Sequence, residues 1–120
     1  MRKLFLAMIP LLAASLPAAA QAHAFLNGAM PPVGGTVAAP PREIRLFFSE
    51  AIEPRFSTVA VETAAGRPIE TGRPEVDPAD RSQLFLPVPP LAPGQYKVVW
   101  HVVSVDTHRT EGNFTFTIGP

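Results

Sequence analysis

From residue 24 onward, apolar and polar positions alternate with a period of two, the repeat of a half-buried strand, and no long stripe of helical period appears. The clearest case is the last: Phe114, Phe116 and Ile118 alternate with Asn113, Thr115 and Thr117. In the strand before it, Tyr96, Val98, Trp100 and Val102 share one face, the expected core face, while Lys97, Val99, His101 and Val103 share the other. Gln83 to Val88 sets Leu84, Leu86 and Val88 against Phe85. Ser57 to Thr63 sets Val59 and Val61 against Thr58, Ala60 and Glu62, and Ile44 to Phe48 puts Leu46 and Phe48 on one face. Ala24 to Leu26 begins a first strand, followed by a loop over 30–35. Residues 64–81 weaken into Gly, Pro and charge, which predicts a loop-rich passage with at most a short edge strand near Ile69.

The segments are short and separated by Pro and Gly; 13 of the 15 Pro residues lie beyond residue 22. Leu91 to Tyr96 forms a turn that delivers Tyr96 into a strand, the placement of the tyrosine corner in Greek-key sandwiches. About seven strands without an internal repeat predict an all-β, immunoglobulin-like Greek-key β-sandwich. The chain has no Cys, so there is no disulfide, and Trp100 and the Phe residues must fill the space between the sheets by packing.

The first residues follow another pattern. Arg2 and Lys3 precede an apolar stretch from Leu4 to Leu16, and Ala20-Gln21-Ala22 supplies the small residues of a cleavage site. The apolar run is shorter than the roughly 20 residues of a spanning helix, and Pro10 and Pro17 interrupt it. The expected organisation is a cleaved signal peptide, residues 1–22, and one exported domain, residues 23–120, that is periplasmic, monomeric and not embedded in the membrane. Without Arg2 and Lys3, 8 Lys and Arg remain against 10 Asp and Glu, about −2 with neutral His. This near balance, with no basic stripe, speaks against nucleic acid as a partner.

Cleavage after Ala22 makes His23 the first mature residue, and that changes its chemistry. A free α-amine and the imidazole Nδ1 of one residue close a six-membered chelate ring around a metal. Asp106-Thr107-His108, in the connection between the last two strands, adds a carboxylate and a second imidazole. Two nitrogens from His23, one from His108 and an oxygen from Asp106 form a tetragonal N,O set, which suits Cu(II) better than tetrahedral Zn(II). The competing interpretation of Asp106-Thr107-His108 is a polar turn with Asp106 capping backbone N–H groups. The copper mode that wraps deprotonated amides around a third-position His does not apply, because the third mature residue is Phe25. Thiolate sites are excluded, and Met30 alone among residues 23–120 cannot form a thioether cluster for Cu(I).

Phe48-Ser49-Glu50, Leu91 through Val98, and Trp100 with Val102 through His108 together resemble the CopC family of periplasmic copper-binding proteins, over nearly the whole of residues 23–120. The resemblance implies a non-enzymatic seven-stranded sandwich that holds one Cu(II) through His23, Asp106 and His108. It also implies a role in copper resistance, homeostasis or delivery to an inner-membrane transporter of the CopD type. Glu50 matches the glutamate of the family's F-S-E stretch, and is expected as a weak fourth ligand or a group that supports the ligands, against a plain surface carboxylate. His101, mid-strand and opposite the core face, is expected as an ordinary surface residue. Two alternatives have other consequences. A histidine-brace copper oxidase or monooxygenase would share the N-terminal His, but the small domain lacks long loops to build a substrate surface. A sandwich module for interaction, without metal, would follow if the mature chain began elsewhere.

Overall fold

A computed structural model of the protein describes residues 24–120. The strands are β1 (Leu26–Met30), β2 (Thr36–Val37), β3 (Glu43–Phe48), β4 (Thr58–Thr63), β5 (Pro68–Ile69), β6 (Glu75–Asp77), β7 (Asp80–Pro87), β8 (Gly94–Val103) and β9 (Arg109–Ile118). A short 3-10 turn, Pro54–Phe56, precedes β4. Four strands form one sheet in the order β1-β3-β7-β6, and five form the other in the order β2-β9-β8-β4-β5. All neighbouring pairs are antiparallel except β2 with β9.

The period-two pattern decides which side chains meet between the sheets. Ile44, Leu46 and Phe48 of β3 and Leu84 and Leu86 of β7 are buried on one side; Val59 and Val61 of β4, Tyr96, Val98, Trp100 and Val102 of β8, and Phe114, Phe116 and Ile118 of β9 are buried on the other. They form a single hydrophobic cluster. Tyr96 stacks on Phe116 at 5.6 Å between ring centroids, and Trp100 meets Phe48 edge-on at 6.2 Å. The Tyr96 hydroxyl donates to the Ala92 carbonyl at 2.6 Å, which closes the expected tyrosine corner. On the outer face of the four-stranded sheet, Arg45 lies over the Phe85 ring at 4.7 Å and bonds Glu43, Asp77 and Gln83 at 2.9 Å each, pinning the edge strand β6.

Three details differ from the sequence pattern. Residues 64–81 hold two short strands, β5 and β6, rather than one, and β7 begins at Asp80, three residues before the apolar alternation starts. The early start follows from a tight β6–β7 hairpin, in which the Asp77 carboxylate accepts the Ala79 N–H at 2.9 Å. Strand β2 has two residues, too few to show a period, and it is held by its parallel pairing with β9.

Gly112 is the least replaceable position of β9. It lies opposite Trp100 across the β8–β9 ladder, and a Cβ placed there would sit 2.4 Å from the indole Cζ2. The indole therefore occupies the volume that a side chain would need. Gly112→Ala is expected to lower stability by about 1–3 kcal/mol through overpacking, whereas Asn113→Ala on the exposed face should stay within about 0.5 kcal/mol. Urea midpoints of the two variants test this, and equal midpoints would contradict the packing assigned to Trp100.

Candidate metal centre

The β8–β9 connection is a five-residue turn, 104–108, whose geometry is fixed from within. Ser104, 1% exposed, is its anchor. Its N–H donates to the His108 carbonyl at 2.9 Å, and its carbonyl accepts the Thr107 N–H at 2.9 Å. Its hydroxyl donates to Asp106 Oδ1. Thr107 adopts φ of 73°, an uncommon conformation for a β-branched residue, held by these bonds and by its own hydroxyl on the Asp106 carbonyl at 2.5 Å. The turn thus presents Asp106 and His108 side by side.

His108 Nδ1 lies 3.2 Å from Asp106 Oδ2, with both side chains a little under half exposed. Two donors bound at about 2.0–2.1 Å to one ion, at angles between square and tetrahedral, lie about 2.8–3.4 Å apart. The 3.2 Å of the Asp106–His108 hydrogen bond falls in the same range. The Ser104 hydroxyl, and after it the His108 imidazole, hold the Asp106 carboxyl below the usual carboxylate range, so the group is an anion under ordinary conditions.

The segment carrying Glu50 runs beside this turn. Val105 N–H donates to the Ala51 carbonyl at 3.0 Å, and Ile52 bridges Ser104, so the residue after Glu50 is tied to the residue before Asp106. Glu50 Oε2 is buried and has no hydrogen-bond partner among the described residues. A buried carboxylate oxygen without a donor is unfavourable on its own, and a cation would satisfy it. Glu50 is thus partly buried rather than fully solvated.

His23 lies outside the described residues, but the residues that follow it are placed. Ala24 is 3% exposed, and its carbonyl accepts the Thr110 hydroxyl at 3.1 Å. The Phe25 N–H donates to the Ser49 hydroxyl at 2.8 Å, and the Ser49 N–H returns a bond to the Phe25 carbonyl at 2.9 Å. The start of the described chain is thus fastened on one side next to Glu50 and on the other two residues from His108. Among the described residues, no group of three or more His, Asp or Glu is arranged to hold a metal. Asp106 and His108 are a pair that needs further donors. His101 is apart from this set: it faces solvent on β8 and pairs with Glu111 across the ladder at 2.9 Å, as expected of a surface residue.

Residues 26–119 match the CopC domain family. The chain belongs to the CopC family. It is 40% identical over 98 residues to protein YobA of Escherichia coli K12, covering 81% of this chain and 79% of that protein. The crystal structure of CopC from Methylosinus trichosporium OB3b superposes with a TM-score of 0.77 at 34% identity, covering 82% of this chain and 95% of that one. That of PcoC, a methionine-rich copper resistance protein from Escherichia coli, superposes with a TM-score of 0.70 at 31% identity, covering 80% and 98%. The all-β sandwich expected from the residue pattern is the fold of these CopC structures. Among the described residues, no helix is long and apolar enough to cross a membrane.

Ser104, Ser49 and Thr110 escaped the sequence reasoning. Single hydroxyl residues carry no periodic or spacing signal, and their partners lie up to 86 positions away. Ser104 has a measurable role. Because Asp106 is titrated with difficulty in the folded state, the stability it lends is complete above its unfolded pKa and is lost as the pH falls through its lower folded pKa. Ser104→Ala is expected to raise the Asp106 pKa toward the ordinary value of about 3.9, followed by the carboxyl-carbon NMR shift of the metal-free domain. An unchanged titration would show that the hydroxyl does not act on Asp106.

Proposed function

We propose that this chain is an exported, periplasmic Cu(II)-binding protein with one site, acting in copper resistance or homeostasis as a carrier rather than as an enzyme. In this reading residues 1–22 are removed, and His23 binds through its α-amine and imidazole. His108 adds a third nitrogen, Asp106 an oxygen, and Glu50 a weak fourth side chain or support for the others. The observation that carries it is the fastening of Ala24 and Phe25 between Ser49 and Thr110. In this reading the residue before Ala24 meets the Asp106–His108 pair, because Ala24 is bonded to Thr110, two positions from His108. The orphaned Glu50 oxygen supplies negative charge on the same side.

The ligand chemistry selects the ion. Amine, imidazole and carboxylate donors favour Cu(II) over the neighbouring divalent ions. With Met30 the one thioether among residues 23–120, reduction to Cu(I) removes the preference and releases the metal. That property suits handover to an inner-membrane transporter of the CopD type, the partner proposed here.

A chain beginning at His23 should take up one Cu(II), and the same chain with one extra N-terminal Met should bind more weakly by over about 100-fold, beyond the loss of a supporting group. Competition with a chelator of known affinity measures both; equal affinities would refute the amine ligand. Affinity should also rise between about pH 5 and pH 8, since binding expels the amine proton, whose pKa is ordinarily near 8.

The side chains are separable in the same assay. His108→Ala should change the nitrogen donors visible in the Cu(II) spin-resonance spectrum and weaken binding more than Asp106→Asn, which keeps those nitrogens. Glu50→Gln should weaken binding by about tenfold while leaving the metal-free domain at least as stable, because it neutralises a buried orphan. If His108→Ala left spectrum and affinity unchanged but lowered the melting temperature of the metal-free domain, His108 would be structural and the site would be wrong.

A further inference from the structure

A free peptide that begins with His can bind Cu(II) in two ways. At first the amine and imidazole chelate the ion; as the pH rises, copper displaces protons from the following backbone amides and draws them into its equatorial plane. The second mode needs residues 2 and 3 of the mature chain to wrap around the ion. In the fold they are not at liberty to do so. Ala24 is buried in the core cluster, with its carbonyl on the Thr110 hydroxyl at 3.1 Å. The Phe25 N–H is spent on the Ser49 hydroxyl at 2.8 Å, and the Phe25 carbonyl accepts the Ser49 N–H.

We propose that Ser49 and Thr110 form a clamp that decides the coordination mode: by binding the Ala24 carbonyl and the Phe25 N–H and carbonyl they keep the chain from wrapping copper with successive amides, and they reserve the ion for side-chain donors and the terminal amine. Neither residue is among the proposed ligands, and both act through the main chain, so they are positioning residues. The inference rests on the copper site proposed above and adds its selectivity. Copper bound by deprotonated amides is held against acid-free release and gives Asp106 and Glu50 no role. The clamp therefore keeps the carboxylates in the site and keeps the metal exchangeable. Its two arms come from opposite sheets: Ser49 follows β3 and Thr110 lies in β9. The segment is thus fastened to both halves of the sandwich.

The test follows the visible absorption and spin-resonance spectra of the Cu(II)-loaded chain beginning at His23 from about pH 6 to about pH 10, a span that brackets the amine pKa of about 8. The unaltered chain should keep one spectrum throughout. Ser49→Ala with Thr110→Val should shift the absorption to shorter wavelength as the pH rises, with added nitrogen couplings from amides. At neutral pH the pair of substitutions should weaken Cu(II) about tenfold, the cost of ordering a segment no longer fixed in advance. Ser49→Thr, which keeps the hydroxyl, should restore the spectrum when paired with native Thr110. A general loss of stability would not add amide nitrogens.

The outcomes separate the two proposals. If the unaltered chain shows amine and imidazole donors at neutral pH and the double variant follows the same spectra at every pH, the clamp is overturned and the site stands. The clamp also falls if the unaltered chain itself acquires amide nitrogens. If the unaltered chain shows no amine donor at any pH, the site is refuted and the clamp with it.

Discussion

The long antiparallel ladder between β8 and β9, from Gly94 with Ile118 to Val103 with Arg109, is the constraint on which everything else rests. One of its faces contributes Tyr96, Val98, Trp100, Val102, Phe114, Phe116 and Ile118 to the core. Its closed end is the turn that displays Asp106 and His108. Core and turn thus share one element, and the fit of Trp100 over Gly112 sits three register steps from Val103 and Arg109, the last ladder pair before the turn. A metal-binding constellation held within a fraction of an ångström needs such backing, since loose ligands lose affinity to the entropy of ordering them. The absence of Cys makes the dependence stronger: no disulfide joins the two sheets, so side-chain packing carries most of the work of setting their spacing.

The sandwich was legible because its information is periodic. Each core strand repeats apolar residues at every second position, and the burial of Ile44, Leu46 and Phe48, or of Leu84 and Leu86, follows that repeat directly. Tyr96 could be assigned to a corner because its hydroxyl has one local partner, four residues back. The edge strands β2 and β6 were not legible, since two or three residues hold no period and their pairing depends on neighbours distant in sequence. The candidate site divides in the same way. Asp106 and His108 stand in a compact motif, and the geometry brings them together. Ser104, Ser49 and Thr110 show their roles only through hydrogen bonds to groups that the fold carries to them. Glu50 could be noticed by resemblance to a family, but the orphaned burial of its Oε2 belongs to the three-dimensional arrangement.

On the proposed reading, charge and donor type fit a copper carrier. The candidate donors are borderline or hard, and Phe25 and Val105, on the segments beside them, are each about half exposed. The methionine-rich character of PcoC has no counterpart here, although the two folds superpose closely. A methionine-rich composition is therefore not a requirement of this scaffold.

The proposed amine donor ties metal binding to export. Before cleavage the nitrogen of His23 is an amide joined to Ala22, a poor ligand without a readily available lone pair, and the chelate ring cannot close. On the proposed reading, Asp106, His108 and Glu50 then remain an incomplete set. On this reading a precursor still inside the cell holds copper weakly, and the strong site comes into being only where the signal is removed. No separate switch is required, because the peptide bond that is cut and the ligand that appears are the same atom's chemistry. The clamp completes the device: Ser49 and Thr110 already hold Ala24 and Phe25 in place, so the new amine needs no further ordering of the chain behind it to meet the waiting pair.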